Sequence, residues 1–183
     1  MHGTGGDEND LLMIGKSLAP GANLLSPRGK VSERGANRFF ARSGHGVFDP
    51  AEIAERAAEF ASWLSEAAAE YGFDQTKLYG LGYSNGANMI YATMLLHPGA
   101  IAGGVLLRPM VVLEPEPLPD LNGAPFLISA GDHDPLLPPG GTEALAELLT
   151  RAGARVEAAK HKADHNLTPD DFSITKYWLK TRI

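Results

Sequence analysis

The stretch that decides the fold is KLYGLGYSNGANMIYATMLL, from Lys77 to Leu96. Its first residues predict a short buried strand, and the residues after Ser84 predict a helix that begins at once. Ser84 therefore lies on the turn, where a strained backbone needs small neighbours two positions away, and Gly82 and Gly86 meet that need. The pattern is typical of a nucleophilic serine, but a Gly/Ser turn in any α/β protein would look the same.

Two later segments favour the catalytic interpretation. Gly131-Asp132-His133-Asp134-Pro135 follows an apolar strand, and Asp164-His165-Asn166-Leu167 follows another. The order serine, acid, histidine is that of α/β-hydrolases. We expect Asp134 to accept a hydrogen bond from His165 as the acid of the triad. Asp132 is the second choice for the acid, because it is better suited to capping the loop through hydrogen bonds from nearby backbone N–H groups. The sequence therefore predicts a serine hydrolase.

The glycine-rich start of the chain, His2-Gly3-Thr4-Gly5-Gly6, resembles the H-G-G-G loop that supplies an oxyanion donor in this fold. On this reading the backbone N–H groups of Thr4 and Asn85 form the oxyanion hole. A phosphate-binding loop is the alternative. It is disfavoured because the lysine of G-x-x-x-x-G-K-[ST] is missing and no G-x-G-x-x-G follows a strand.

Some of the same residues could instead form a metal cluster: Asp132, His133, Asp134, His161 and His165. The two outer histidines have the i, i+4 spacing of helical ligands. The segment from 160 to 165, however, lies between a predicted strand and Pro169 and is expected to be a loop. H-E-x-x-H is also missing, so we predict no metal and no cofactor.

Along the rest of the chain, predicted strands alternate with predicted helices and no repeats occur. This pattern implies a single α/β domain over residues 1–183, a doubly wound and mostly parallel sheet with helices on both faces. The predicted helices are Asn9–Leu18, Pro50–Tyr71, Asn85–Leu96, Gly140–Ala152 and Asp170–Lys180, and the predicted strands are Asn23–Ser26, Lys77–Gly82, Ala102–Leu107, Pro125–Ala130 and Ala154–Ala158. An irregular stretch is expected between Ser26 and Asp49.

Two loops leave the catalytic edge of this sheet and are expected to shape a substrate pocket. Arg38, Phe39 and Phe40 lie on the first, and Met110 opens the second, while Leu136 follows the acid. The phenylalanines suit an acyl or alcohol pocket, and Arg38 suits either an anionic group or an acidic neighbour. Plain packing and a surface ion pair explain these residues equally well. The loops are too short for a lid domain, which predicts an open site for small esters.

The composition is that of a soluble globular chain. The 183 residues are 44% hydrophobic, carry 22 acidic and 16 basic side chains for a net charge of -6, and include no cysteine. Nucleic-acid binding is disfavoured because no basic patch occurs, and a cysteine nucleophile is excluded. Neither a signal sequence nor an apolar run of 18 residues is seen, so we expect a cytoplasmic protein without a membrane span.

Taken together, the segments HGTGGDEND, RFF, GYSNGANM, GDHDPLLP and DHNLT resemble the phospholipase/carboxylesterase family of α/β-hydrolases over nearly the whole chain. The family includes small bacterial carboxylesterases and acyl-protein thioesterases. The resemblance implies a catalytic triad of Ser84, Asp134 and His165. It also implies cleavage of carboxylic esters, thioesters or lysophospholipids through an acyl-enzyme. A non-catalytic homologue that only binds a small ligand is the alternative.

One feature departs from the family pattern. The family has a hydrophobic strand that runs directly into the H-G loop, whereas only Met1 precedes His2 here. Either the sequence begins inside a longer chain, or the protein is a shortened variant whose sheet must close without this strand. Over residues 1–183, the sheet is expected to lack its usual N-terminal strand or strands. An exposed sheet edge of this kind would favour a homodimer.

Overall fold

The structure is a computed structural model that describes residues 1–44 and 46–183. His45, in one of the two loops expected to shape the pocket, lies outside the described residues. The helices are α1 (Leu12–Leu18), α2 (Pro50–Tyr71), α3 (Asn85–Leu96), α4 (Gly141–Arg151) and α5 (Pro169–Arg182), and a 3-10 turn spans Gln75–Lys77. The strands are β1 (Val31–Glu33), β2 (Ala36–Arg38), β3 (Tyr79–Tyr83), β4 (Gly103–Leu107), β5 (Pro125–Gly131) and β6 (Arg155–His161).

A parallel sheet of four strands, in the order β3-β4-β5-β6, organises the molecule, and β1 and β2 form a separate antiparallel pair. Because all four strands run the same way, their carboxyl ends meet at one edge of the sheet. Ser84, Arg108 and Asp132 directly follow β3, β4 and β5, and Lys162 follows β6. The loops that carry the predicted site residues therefore leave from the same edge.

Helices cover both faces of this sheet, as the sequence predicts. On one face, Leu106, Phe126 and Ile128 pack in a large core with residues of α2, α3 and α4. On the other face, Val105, Leu107 and Leu127 pack against Trp178 of α5. Neighbouring residues of β4 and β5 thus point to opposite sides, and both sides are apolar because both are covered. The predicted α/β-hydrolase architecture is confirmed.

Several predicted boundaries need correction. Residues 23–26 form no strand, because the structure gives this segment no ladder partner. The first helix begins at Leu12 and not at Asn9, since the Asp7 carboxylate accepts a hydrogen bond from the Asn9 N–H and holds that segment in a turn. The irregular stretch after Ser26 contains the β1–β2 hairpin, and β6 continues to His161.

The first residues of the chain lie along the outer edge of β3. The Met1 amino group donates to the Leu81 carbonyl at 2.6 Å, and the Tyr83 N–H donates to the Met1 carbonyl at 3.1 Å. Burial lowers the pKa of this amino group to about 5. The contacts carry His2 and the following glycine-rich loop to the edge of the sheet where β3 ends. Among the described residues, no helix is both long enough and apolar enough to cross a membrane.

Candidate active site

The turn between β3 and α3 holds Ser84 in an uncommon backbone conformation, with φ 52° and ψ -115°. A Cβ atom on Gly82 would lie 2.6 Å from the Ala87 nitrogen, and one on Gly86 would lie 2.5 Å from the Met1 carbonyl oxygen. Side chains cannot be accommodated at such distances. The two glycines are therefore required by close backbone approach on either side of the serine, as their spacing in the sequence predicts.

Ser84, His165 and Asp134 form a continuous chain of hydrogen bonds. His165 Nε2 lies 2.9 Å from Ser84 Oγ, and His165 Nδ1 lies 2.7 Å from Asp134 Oδ2. The Asp134 side chain is fully buried, whereas 23% of the His165 side chain remains exposed. A buried carboxylate on Nδ1 selects the tautomer in which Nε2 can accept the serine proton. The three residues can therefore activate a serine hydroxyl.

The structure separates the two aspartates that the sequence left as alternatives. Asp134 is buried, and its second oxygen accepts a hydrogen bond from the Leu136 N–H at 2.9 Å. Asp132 is exposed, with its backbone N–H on the His161 carbonyl at 2.9 Å. Asp134, and not Asp132, is the residue placed against His165.

The two residues predicted to supply the oxyanion donors both border the pocket that Ser84 lines. Asn85 opens α3, and Thr4 lies in the loop beside it. In the described part of the chain, neither backbone N–H is paired with a backbone or side-chain acceptor. The loop is fixed by its neighbours: Gly5 donates its N–H to the Asn37 carbonyl at 2.9 Å, and Asn37 Nδ2 donates to the Gly6 carbonyl at 2.9 Å.

Comparison with known proteins decides the family. The Bacillus subtilis (strain 168) protein named "Putative hydrolase MhqD" is 37% identical over 183 residues, which are 100% of this chain and 92% of that protein. The chain belongs to the phospholipase/carboxylesterase family of α/β-hydrolases. Two solved structures agree, namely the carboxylesterases of Bacillus cereus (37% identity, TM-score 0.97, 100% of this chain and 86% of that one) and of Mesorhizobium loti (38% identity, TM-score 0.93, 99% and 86%). No protein-family model matches the chain.

In this hydrolase, a pocket with a volume of about 190 Å³ is lined by Ser84 and His165. Of the residues predicted to shape it, Arg38, Met110 and Leu136 are on its wall. Its other lining residues are Thr4, Arg42, Gly46, Phe48, Tyr83, Asn85, Asn88, Arg108 and Leu137. The wall thus combines apolar side chains from three loops with guanidinium groups.

Phe39 and Phe40 do not line this pocket, which corrects the expectation. Phe40 is fully buried and packs edge-on against Phe48, with ring centroids 5.6 Å apart. Phe39 packs on the His2 ring at 4.7 Å and borders a separate cavity of about 260 Å³ next to α2. Both side chains belong to the large buried core, and Phe39 also supports His2 at the start of the glycine-rich loop.

In this hydrolase, Arg38 contacts the glycine-rich loop at Thr4. Burial lowers the pKa of Arg38, while Glu33 acts in the opposite direction at 3.3 Å. The guanidinium also donates to the Phe40 carbonyl at 3.0 Å and to the hydroxyl of Thr4. Of the two sequence-based alternatives, the structure therefore provides the acidic neighbour, and it adds a contact to Thr4 that the sequence did not indicate.

A second cluster of serine, histidine and acid lies nearby but has a different connectivity. Ser129 Oγ donates to Asp171 at 2.6 Å and lies 2.9 Å from His161 Nε2. The carboxylate therefore accepts its hydrogen bond from the serine, while His161 Nε2 lies 3.7 Å from Asp171 Oδ1. Ser129 is fully buried. This arrangement satisfies polar groups and cannot activate a nucleophile in the manner of the first cluster.

The same contacts bear on the metal alternative. His161 lies at the end of β6 and not on a helix, so its i, i+4 spacing to His165 does not create one ligand face. His165 is bonded instead to Ser84 and Asp134. Within residues 1–44 and 46–183, no group of three or more His, Cys, Asp or Glu side chains could hold a metal ion.

Proposed function

We propose that this hydrolase is a serine carboxylesterase that works through Ser84, His165 and Asp134 and forms an acyl-enzyme. The observation that carries the proposal is the unbroken chain of 2.9 Å and 2.7 Å contacts from the Ser84 hydroxyl through His165 to a fully buried carboxylate. Burying an aspartate carboxylate is unfavourable unless the carboxylate is paired and hydrogen-bonded, and here His165 is the partner.

In the proposed reaction, His165 Nε2 removes the Ser84 proton while Ser84 Oγ attacks the ester carbonyl carbon. The carbonyl oxygen becomes an oxyanion and accepts hydrogen bonds from the Thr4 and Asn85 N–H groups. His165 then returns the proton to the leaving alcohol as the carbon–oxygen bond breaks, which gives the acyl-enzyme. Water attacks the acyl group with the same proton transfers and releases the acid, and Asp134 stabilises the imidazolium in each half.

The pocket supports small carboxylic esters as substrates. Its volume of about 190 Å³ lies below the roughly 300–1,000 Å³ typical of sites for drug-sized ligands. Met110, Leu136 and Leu137 give it an apolar wall next to the serine. We therefore expect short acyl chains to be preferred, with thioesters and lysophospholipids as the other substrate classes to compare.

The test is labelling of the purified protein with a fluorophosphonate probe, followed by mass mapping of the modified residue. We expect a single label on Ser84, and we expect hydrolysis of p-nitrophenyl acetate and butyrate. Ser84→Ala should remove both the label and the turnover while the protein stays folded. Ser43→Ala is the matched control, because this exposed serine lies on one of the loops near the pocket and should change neither result.

Two results would contradict the proposal. Labelling of another serine, or turnover that survives in folded Ser84→Ala, would move the nucleophile elsewhere. A folded wild-type protein that neither reacts with the probe nor hydrolyses esters would favour a ligand-binding homologue.

A further inference from the structure

The backbone that carries His165 is tied down at three consecutive carbonyl groups. Arg108 Nε donates to the Asp164 carbonyl at 3.0 Å, and Arg108 Nη2 donates to the Asn166 carbonyl at 2.8 Å. Between them, the Tyr83 hydroxyl donates to the carbonyl of His165 itself at 3.0 Å. Arg108 follows β4 and Tyr83 ends β3, so two neighbouring strands hold one loop.

Arg108 is itself rigidly held. Its guanidinium makes a two-pronged contact with Asp171 at 2.6 and 2.8 Å, and both side chains are fully buried. Nη1 also lies 3.3 Å from the Ser129 carbonyl. Asp171 is fixed in turn by the Thr168 N–H at 2.7 Å and the Thr168 hydroxyl at 3.0 Å, at the first turn of α5. A planar guanidinium with this many partners cannot turn without breaking several bonds.

The backbone of Arg108 indicates that this arrangement has an energetic cost. Its φ is 53°, in the left-handed region that non-glycine residues seldom adopt. Strain of this kind persists only where surrounding contacts impose it, and it concentrates at functional sites. From this position the Arg108 side chain contacts the carbonyl groups of Asp164 and Asn166.

We propose that Arg108 and Tyr83 are positioning residues that set the imidazole of His165 in line with Ser84 and Asp134. The inference rests on the proposed function, since it assigns a role through His165. Tyr83 contributes a second restraint, because its ring lies against the imidazole with centroids 5.4 Å apart. The loop carbonyls fix where the His165 backbone lies, and the Tyr83 ring limits how its side chain turns.

This role makes a specific kinetic prediction. We call the contacts of Arg108 and Tyr83 with the carbonyl groups of residues 164–166 the clamp. A misplacement of about 1 Å at a reacting group can cost roughly a hundredfold in rate, so loss of the clamp should lower kcat with little change in KM. Tyr83→Phe keeps the ring contact and removes only the hydrogen bond to the His165 carbonyl, so we expect kcat to fall about tenfold. Arg108→Lys keeps a positive charge beside Asp171, but the lysine cannot reach the carbonyl groups of both Asp164 and Asn166. We therefore expect kcat of this variant to fall further, by up to about a hundredfold.

A third variant separates positioning from stability. Arg108→Met leaves a buried, unpaired Asp171, which is expected to lower the melting temperature strongly. In the double variant Arg108→Met with Asp171→Asn, the unpaired charge is gone, so part of the melting temperature should return. The carbonyls of Asp164 and Asn166 remain without their donor, so kcat should not return with it.

The measurements are kcat and KM for p-nitrophenyl butyrate, the fluorophosphonate inactivation rate, and the low-field proton resonance of the His165–Asp134 hydrogen bond. The clamp variants should slow inactivation in proportion to kcat and broaden or shift that resonance. Leu64→Ala, in the buried face of α2, is the control for general destabilisation, because it should lower the melting temperature without changing any of the three.

Each outcome decides the matter. If wild-type protein reacts with the probe but Tyr83→Phe and Arg108→Lys match it in kcat and inactivation rate, the clamp is wrong and the proposed function stands. If kcat recovers together with the melting temperature in the double variant, Arg108 acts through stability alone. If the wild-type protein itself does not react, the proposed function fails first.

Discussion

Replacement of Gly86 by alanine tests how closely the start of the chain, which leads into the glycine-rich loop, must approach the turn that carries Ser84. The new Cβ atom would lie 2.5 Å from the Met1 carbonyl oxygen and 2.6 Å from that of His2. Real Cβ atoms almost never come closer than 3.0 Å, so the gap must open by about 0.5 Å, the difference between 3.0 and 2.5 Å. The segment that moves leads directly to Thr4, whose N–H is a proposed oxyanion donor.

The expected effect on activity is larger than the effect on stability. Losing one oxyanion donor completely costs about 10²–10³-fold in kcat, so a partial displacement should cost roughly 10- to 100-fold. Overpacking costs about 1–3 kcal/mol, and the better helix propensity of alanine returns about 1 kcal/mol. The net loss of about 0–2 kcal/mol corresponds to a melting temperature lower by roughly 0–8 °C.

The assay is kcat and KM for p-nitrophenyl butyrate at a temperature where both proteins are folded, together with the melting temperature. Gly15→Ala is the control, since its Cβ atom would meet only the flexible side chain of Leu24, at 3.2 Å and beyond. It should leave kcat unchanged. Wild-type kcat in a folded Gly86→Ala protein would refute the argument that this close approach positions the oxyanion hole.

Three further predictions follow from the described contacts. Asp134→Asn should lower kcat by roughly 10³–10⁴-fold by presenting the wrong histidine tautomer, whereas exposed Asp132→Asn should stay within about twofold in the same ester assay; the reverse ranking would reassign the acid. Met110→Ala should widen the pocket and raise the kcat/KM ratio of p-nitrophenyl hexanoate to acetate, and an unchanged ratio would place the acyl group elsewhere. Burial alone would raise the pKa of Asp171, but hydrogen bonds from Arg108, Ser129 and Thr168 hold this pKa below its usual value. The ionised carboxylate therefore stabilises the folded state fully above about pH 4, and this contribution is lost as the pH falls further. The melting temperature should therefore fall less steeply with decreasing pH in Asp171→Asn than in the wild type, and parallel plots of melting temperature against pH would contradict this.

Much of the architecture was predictable because local pattern and tertiary position agree. Helix α3 begins at Asn85 and ends at Leu96, as the apolar run predicts, and α2 spans Pro50–Tyr71, with a proline at its start and Gly72 in the left-handed conformation at its end. These segments contain their own start and stop signals. The segment 23–26 has strand-like composition but no partner in the sheet, and a ladder depends on its neighbour as much as on its own residues.

The parts of the site that the sequence did not indicate involve contacts between distant residues. Arg108 and Asp171 are 63 positions apart, and a lone arginine after a strand resembles any surface residue. The contact of Arg38 with Thr4 was missed for the same reason, since the two residues are far apart in the sequence. Phe39 and Phe40 were predicted to line the pocket because they are hydrophobic, but hydrophobicity does not determine on which side of a loop a ring will lie.

Helix α3 is buried at every residue from Asn85 to Leu95, and this has a consequence for how the enzyme could be altered. A helix packed on all sides tolerates little change in volume, so α3 offers few routes to a new substrate preference. Met110 and Leu136 are only partly buried and lie on loops. Directed evolution toward other acyl groups should therefore accumulate substitutions in those loops, while α3 stays unchanged.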